Sequence, residues 1–193
     1  IGADCFLWAR VSFQRAVQVG DRVLLHSGVV IGADGFGFAA GREGHAKIPQ
    51  VGSVIIGDDV EIGANSTVDC GAMDDTVIGA GSKIDSHAHV AHNVKMGQHN
   101  ILCGMGALAG SCKTGDWVTV GGNSCITNHV EITSHVTLGG HSGITRSIKE
   151  AGLYLGFPAE PAKWWRRLTA RLRRLDKLEQ RVRELEAKLG DPS

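Results

Sequence analysis

Aromatic residues make up only 5% of this sequence, with a single tyrosine, and proline occurs four times. So small a supply of rings argues against a core of large side chains wedged between helices and a sheet. The 27 glycines in 193 residues point instead to short strands joined by tight turns. Charge of one sign is also missing: 20 Lys and Arg balance 20 Asp and Glu, so no global field favours nucleic acid. There is no run of eighteen apolar residues to span a membrane and no opening signal peptide, and the expectation is a soluble cytoplasmic protein. The five cysteines (Cys5, Cys70, Cys103, Cys112, Cys125) are odd in number and never spaced as CxxC. That pattern suits neither a disulfide framework nor a zinc knuckle, and fits small residues in a reducing compartment.

What is present is a period of six. Ile78, Ile84, Val90, Met96, Leu102, Leu108, Thr114, Val120, Ile126, Ile132, Leu138 and Ile144 recur in one frame without a slip. The residue after each is usually small or turn-forming, as in Gly79, Asp85, Ala91 and Gly97, which reads as a tight corner. An α-helix is excluded here, because a six-residue period would smear apolar residues around a 3.6-residue cylinder. Ile1, Leu7, Phe13, Val19, Leu25 and Ile31 already keep the frame, so the chain begins inside the repeat, as a fragment or a protein trimmed of an upstream domain would. Ile56, Ile62 and Val68 bring the count to twenty-one hexads. At three per turn this predicts seven turns, a stack roughly 34 Å tall.

The frame breaks twice. Residues from Gly32 to about 55 are too rich in glycine and charge to continue the stack and read as a projecting loop. A smaller interruption between Asp69 and Thr76 shifts the frame by four residues. After Pro158 and Pro161 the period becomes three to four, through Trp164, Leu168, Leu172, Leu175, Leu178, Val182, Leu185 and Leu189, predicting a terminal helix that packs on copies of itself. The expected organisation is a repeat domain over 1–157 and a helix over 158–193. Lys163, Arg166, Arg167, Arg171, Arg173 and Arg174 crowd its first half with no acid among them. Taken alone, that charge is an ordinary solvated helix face.

A six-residue repeat of this kind resembles the hexapeptide acyltransferases. The resemblance implies an all-β, left-handed parallel β-helix with a C-terminal α-helix, assembled as a homotrimer with active sites between subunits. Longer stretches narrow it: Gly32-Ala33-Asp34-Gly35-Phe36-Gly37-Phe38 followed by Lys47-Ile48-Pro49-Gln50, then Ala91-His92-Asn93-Val94, Asn128-His129-Val130-Glu131-Ile132 and Gly156-Phe157-Pro158. These are similar to the UDP-3-O-acylglucosamine N-acyltransferase family, over nearly the whole chain. The activity implied is transfer of a 3-hydroxyacyl group from acyl carrier protein to the 2-amine of a UDP-linked, 3-O-acylated glucosamine on the way to lipid A. No cofactor or metal is implied, since the acyl group arrives on the carrier's phosphopantetheine. The family's N-terminal uridine-binding domain has no counterpart here, and Cys70 stands where the family usually has arginine.

An amine attacks a thioester as its free base and must shed a proton as the tetrahedral intermediate forms, a task suited to histidine. The resemblance assigns this base to His92 and the oxyanion donor to the Gly110 backbone, eighteen residues and one turn further on. It places Asp85 and Asn93 at the sugar and amine site, Asp85 as a partner of His92 or of a sugar hydroxyl, and His129 near the nucleotide phosphates or the carrier arm. Acyl carrier protein is acidic, which gives Arg166, Arg167, Arg171, Arg173 and Arg174 a partner. Three other readings stand beside this one. A trimeric β-helical carbonic anhydrase would use zinc on His87, His89, His92 or His99; an O-acyltransferase of the same pathway would act on a sugar hydroxyl; a structural trimer would have no chemistry.

Overall fold

The structure, a computed structural model, describes residues 1–14, 16–155 and 162–189, with side chains described throughout these except at 162–166 and 189. It divides into two units, Ile1–Phe157 and Pro158–Ser193.

The first unit is a parallel β-solenoid with three faces, of eight, seven and six strands. Its first face runs from Phe6–Leu7 to Gly152–Tyr154, its second from Ser12–Phe13 to Gly143–Ile144, and its third from Val17–Val19 to Glu131–Ile132. Lys83 pairs with Ile101, His89 with Ala107 and Lys95 with Lys113, so one turn takes eighteen residues and three hexads, as the period predicts. Most strands are two residues long, and only the second points inward. That is why the hydrophobic period is six rather than two. Ile78, Val90, Leu102, Leu108 and Ile126 are wholly enclosed.

Four details depart from the expectations. Ile1 is exposed and belongs to no strand. An uncounted rung, Gly152–Tyr154, closes the first face by pairing with Val136–Leu138. It escapes the hexad count because Tyr154, which packs against the core, pairs with Leu138 sixteen residues back rather than eighteen. The first interruption, read as a projecting loop, contains an antiparallel hairpin, Phe38–Gly41 against Gly44–Lys47, which the glycine and charge content did not foretell. Finally, the left-handed corner residue is the third after each aliphatic, at His87, Asn93, His99, Met105, Ser111 and onward, and not the first. The first position is small for another reason. A Cβ on Gly79 would stand 2.3 Å from the Gly97 carbonyl oxygen of the next turn, so the residue allows rungs to stack rather than the chain to bend.

Thr114 is the polar member of the inward column, and Asn100 explains how it is tolerated. The buried Asn100 amide donates to Thr114 Oγ1 at 2.8 Å and to the Gly115 carbonyl at 2.9 Å, while its Oδ1 accepts the Val118 N–H at 2.6 Å. Removing it strands buried donors and acceptors. Asn100→Ala is expected to lower the unfolding free energy by about 2–4 kcal/mol, measured by urea denaturation, without moving the strand register.

The second unit carries two helices instead of the single predicted one: α1, Ala162–Leu172, and α2, Leu175–Leu189. Between them the Arg174 N–H bonds to the Arg171 carbonyl, tightening the last turn of α1. On α2, Leu175, Leu178, Val182 and Leu185 are exposed at heptad-like spacing. Gly156-Phe157-Pro158 and Pro161 lie outside the described residues, as do the side chains of Lys163, Trp164, Arg166 and Leu189. Among the described residues no helix is long and apolar enough to cross a membrane.

Candidate active site

One corner of the solenoid, where the second face passes into the third, carries every irregularity of the repeat. Read turn by turn, it holds the hairpin segment, the 69–76 interruption, His92-Asn93, Gly110-Ser111 and Asn128-His129. Backbone bonds tie its later levels together: Ser111 N–H donates to the His92 carbonyl at 2.9 Å, and His129 N–H to the Gly110 carbonyl at 3.2 Å. The repeat therefore does what its spacing implies, stacking Gly110 on His92 and His129 beyond it.

His92 is half-buried, and its ring orientation is determined by its neighbour. Nδ1 lies 2.9 Å from Asn93 Oδ1. That oxygen also accepts the Ala72 N–H at 3.0 Å, while Asn93 Nδ2 donates to the Asp74 carbonyl at 3.1 Å, which settles which end of the amide is oxygen. The Asn93 N–H in turn donates to the Thr76 hydroxyl at 2.9 Å. Because Oδ1 can only accept, the ring proton sits on Nδ1, and Nε2 is left as the free base.

Gly110 lies against the other end of the ring. A Cβ there would come within 2.7 Å of both Cε1 and Nε2, so any side chain at this position would have to displace the ring. Its N–H has no acceptor among the described residues. From the other side Gly35 closes on the histidine, where a Cβ would be 2.6 Å from His92 Cβ and 2.7 Å from Gln50 Oε1. Gln50 is buried and anchors the hairpin's return strand by donating to the Ile48 carbonyl at 3.1 Å. His92 is thus held by both interruptions: Gly35 of the first packs on it, and the 69–76 segment orients it through Asn93.

The expected site residues do not all meet. His92, Asn93, Gly110 and His129 share the corner, with the exposed His129 ring unbonded to His92. Asp85 sits at the corner between the first and second faces, where its carboxylate accepts the Ser86 N–H at 2.7 Å and the Gly104 N–H at 2.9 Å. It belongs to a groove with His26, Glu61 and Lys83, one face away from His92. Within one chain, then, Asn93 orients the histidine and Asp85 does not. Arg167, Arg171, Arg173 and Arg174 are exposed on or between the helices of the second unit, and Arg166 belongs to α1 by its backbone. The histidines that suggested zinc are spread around the perimeter: His87 and His99 occupy the other two corners, and His89 faces outward on the second face. Among the described residues no three His, Cys, Asp or Glu side chains converge. Missing from the expectations were Ala72, Asp74 and Thr76. Their signal was the broken frame itself, although a break does not say what it contacts.

Comparison with known proteins bears on this corner. The family model for the hexapeptide repeat of succinyl-transferase matches residues 1–33 and 53–86. The UDP-3-O-acylglucosamine N-acyltransferase of Hahella chejuensis is 48% identical over 177 residues, 91% of this chain and 51% of its own length. That of Bordetella pertussis is 44% identical over 185 residues, 93% of this chain and again 51% of its own. The chain spans about half the length of the relatives it matches. Among solved structures, LpxA from Acinetobacter baumannii superposes with a TM-score of 0.71 at 25% identity, over 83% of this chain and 60% of that one.

Proposed function

We propose that this chain, homologous to about half the length of the UDP-3-O-acylglucosamine N-acyltransferases, carries the acyl-transfer site of such an enzyme. The observation that carries the reading is the His92 corner: a ring with its proton held on Nδ1, a free Nε2, and an unclaimed amide at Gly110 beside it. In this reading the acyl donor is a 3-hydroxyacyl thioester on acyl carrier protein and the acceptor is the 2-amine of UDP-3-O-acylglucosamine. The amine attacks the thioester carbonyl, and His92 Nε2 takes the proton that the nitrogen sheds. The Gly110 N–H meets the oxyanion. As the intermediate collapses the C–S bond breaks, and His92 returns the proton to the departing thiolate, leaving an amide and a free thiol. Asn93 keeps the ring in one tautomer through both transfers, and no cofactor of the protein's own takes part.

A left-handed homotrimer fits the separation of Asp85 from His92. The two stand at opposite edges of the second face, and a neighbouring copy could bring its Asp85 edge to this His92 edge. His129 is left free to meet the nucleotide phosphates or the carrier arm. In the second unit, the apolar stripe Leu175, Leu178, Val182 and Leu185 suits three copies of α2, and the preceding arginines suit an acidic carrier protein.

The test is acyl transfer by the full-length protein, with a panel of acyl carrier protein thioesters and UDP-3-O-acylglucosamine, followed by mass spectrometry of the amide product. Product from the amine substrate and none from a UDP-sugar offering only a hydroxyl supports the N-acyl reading; the reverse supports the O-acyl alternative. Reversing Arg171, Arg173 and Arg174 to Glu is expected to weaken carrier-protein binding about tenfold or more at low salt. Surface plasmon resonance giving an unchanged Kd would reject the helix as a docking site.

A further inference from the structure

The steps above leave unused a buried carboxylate beneath the histidine corner. Asp69 ends the strand Thr67–Asp69 on the second face, at the point where Gly32 (φ 84°) bulges out of the ladder so that Asp69 pairs with Ala33. Above it, Thr67 pairs with His89 and Val68 with Val90, a register that brings Asp69 beneath Ala91 and next to His92. Its side chain is only 11% exposed, and Oδ2 lies 3.6 Å from His89 Nε2. His89 Nδ1 meets Thr67 Oγ1 at 2.7 Å. With the hydroxyl donating to Nδ1, the His89 proton sits on Nε2 and faces the carboxylate.

The charges around Asp69 come from three levels of the corner. Burial pushes its carboxyl above the usual carboxylate range; His89 and then His92 pull it back, and Asp34 from the first interruption pushes it further up. Asp34 is itself paired with Lys47 of the hairpin. A carboxylate so poorly solvated responds strongly to any cation that forms next to it, because the low local dielectric leaves their attraction little screened.

We propose, on the acyl-transfer reading above, that Asp69 is a positioning residue for His92: its carboxylate stabilises the imidazolium that exists between the two proton transfers, and His89 competes for the same carboxylate. When His92 has taken the amine proton, Asp69 supplies the negative charge that Asn93, a neutral partner, does not. When His89 is also protonated, as on the acid side, it neutralises Asp69 and withdraws that support. A structural role for Asp69 has no such consequence.

The two sides of the competition predict opposite shifts. In the full-length enzyme, Asp69→Asn is expected to lower kcat about tenfold or more at pH 8, with KM within twofold of wild type and the acid limb of the kcat profile moved to lower pH. His89→Gln is expected to move the same limb to higher pH, because Asp69 then answers to His92 alone. A limb that stays in place in Asp69→Asn, or one that moves the same way in both variants, overturns the proposal. If Asp69→Asn does not fold, the half-buried His89 decides alone, and an unmoved limb in His89→Gln overturns it. Imidazole NMR titration gives the same readout without turnover: the His92 midpoint falls in Asp69→Asn and rises in His89→Gln. Variants that show these shifts beside a wild type with no acyl transfer would sink the assigned reaction and leave the coupling standing. Active wild type with unmoved midpoints would sink the coupling alone.

Discussion

On the proposed acyl-transfer reading, replacing His92 by alanine is expected to slow transfer by about 10²- to 10⁴-fold, the range for a lost general base. His92 is the ring whose Nε2 is free, whose proton is parked on Nδ1 by Asn93, and whose far end lies against Gly110. Without it the amine must lose its proton to water, and the thiolate must leave without an acid. The fold should survive, since His92 lies outside the hydrophobic core and the Asn93 bonds to Ala72 and Asp74 do not depend on its ring. Single-turnover rates, with circular dichroism to follow the fold and light scattering to follow the proposed trimer, separate the two effects. A variant that keeps its assembly and transfers at the wild-type rate would remove His92 from the chemistry and return the corner to a structural role.

Gly110→Ala is the second large effect, at about 10²- to 10³-fold in kcat, the usual loss when an oxyanion donor is displaced. Gly110 is not among the residues with left-handed φ, so alanine can adopt its backbone angles and the fold has little reason to object. The damage falls on the site instead. A methyl within 2.7 Å of His92 Cε1 and Nε2 must push the ring aside or the amide away from it. The expected signature is a reduced kcat with a melting temperature within a few degrees of wild type. Ser111→Ala, at the next position, leaves both the ring and the amide in place and is the matched control. Should Gly110→Ala retain full activity, the oxyanion donor must lie elsewhere on the corner.

The scaffold was legible because a solenoid is a nearly one-dimensional object. Each inward residue meets others six and eighteen positions away, so the spacing of Val90, Leu108 and Ile126 translates into stacked turns with no further information. For the same reason Gly110 could be put over His92 in advance. The reading of the small residues was less successful. Gly97 and Gly115 look like corners, yet the chain bends two positions later, at His99 and Trp117, whose side chains give no hint of it. For Asp85 the resemblance offered His92 or a sugar hydroxyl as partner; within one chain, three-fold winding puts Asp85 and His92, seven residues apart, on different corners.

The sequence by itself determined the period, hence the three-faced parallel stack, the enclosed aliphatic columns and the level at which each histidine stands, because each follows from counting along a regular coil. Only the tertiary structure decided what the two breaks in that count are for. Their extra residues leave the coil, so no spacing rule says where they return. Folded, Gly35 and Gln50 from one and Ala72 and Asp74 from the other close on His92 and Asn93, carried there by contacts between turns that local sequence does not encode.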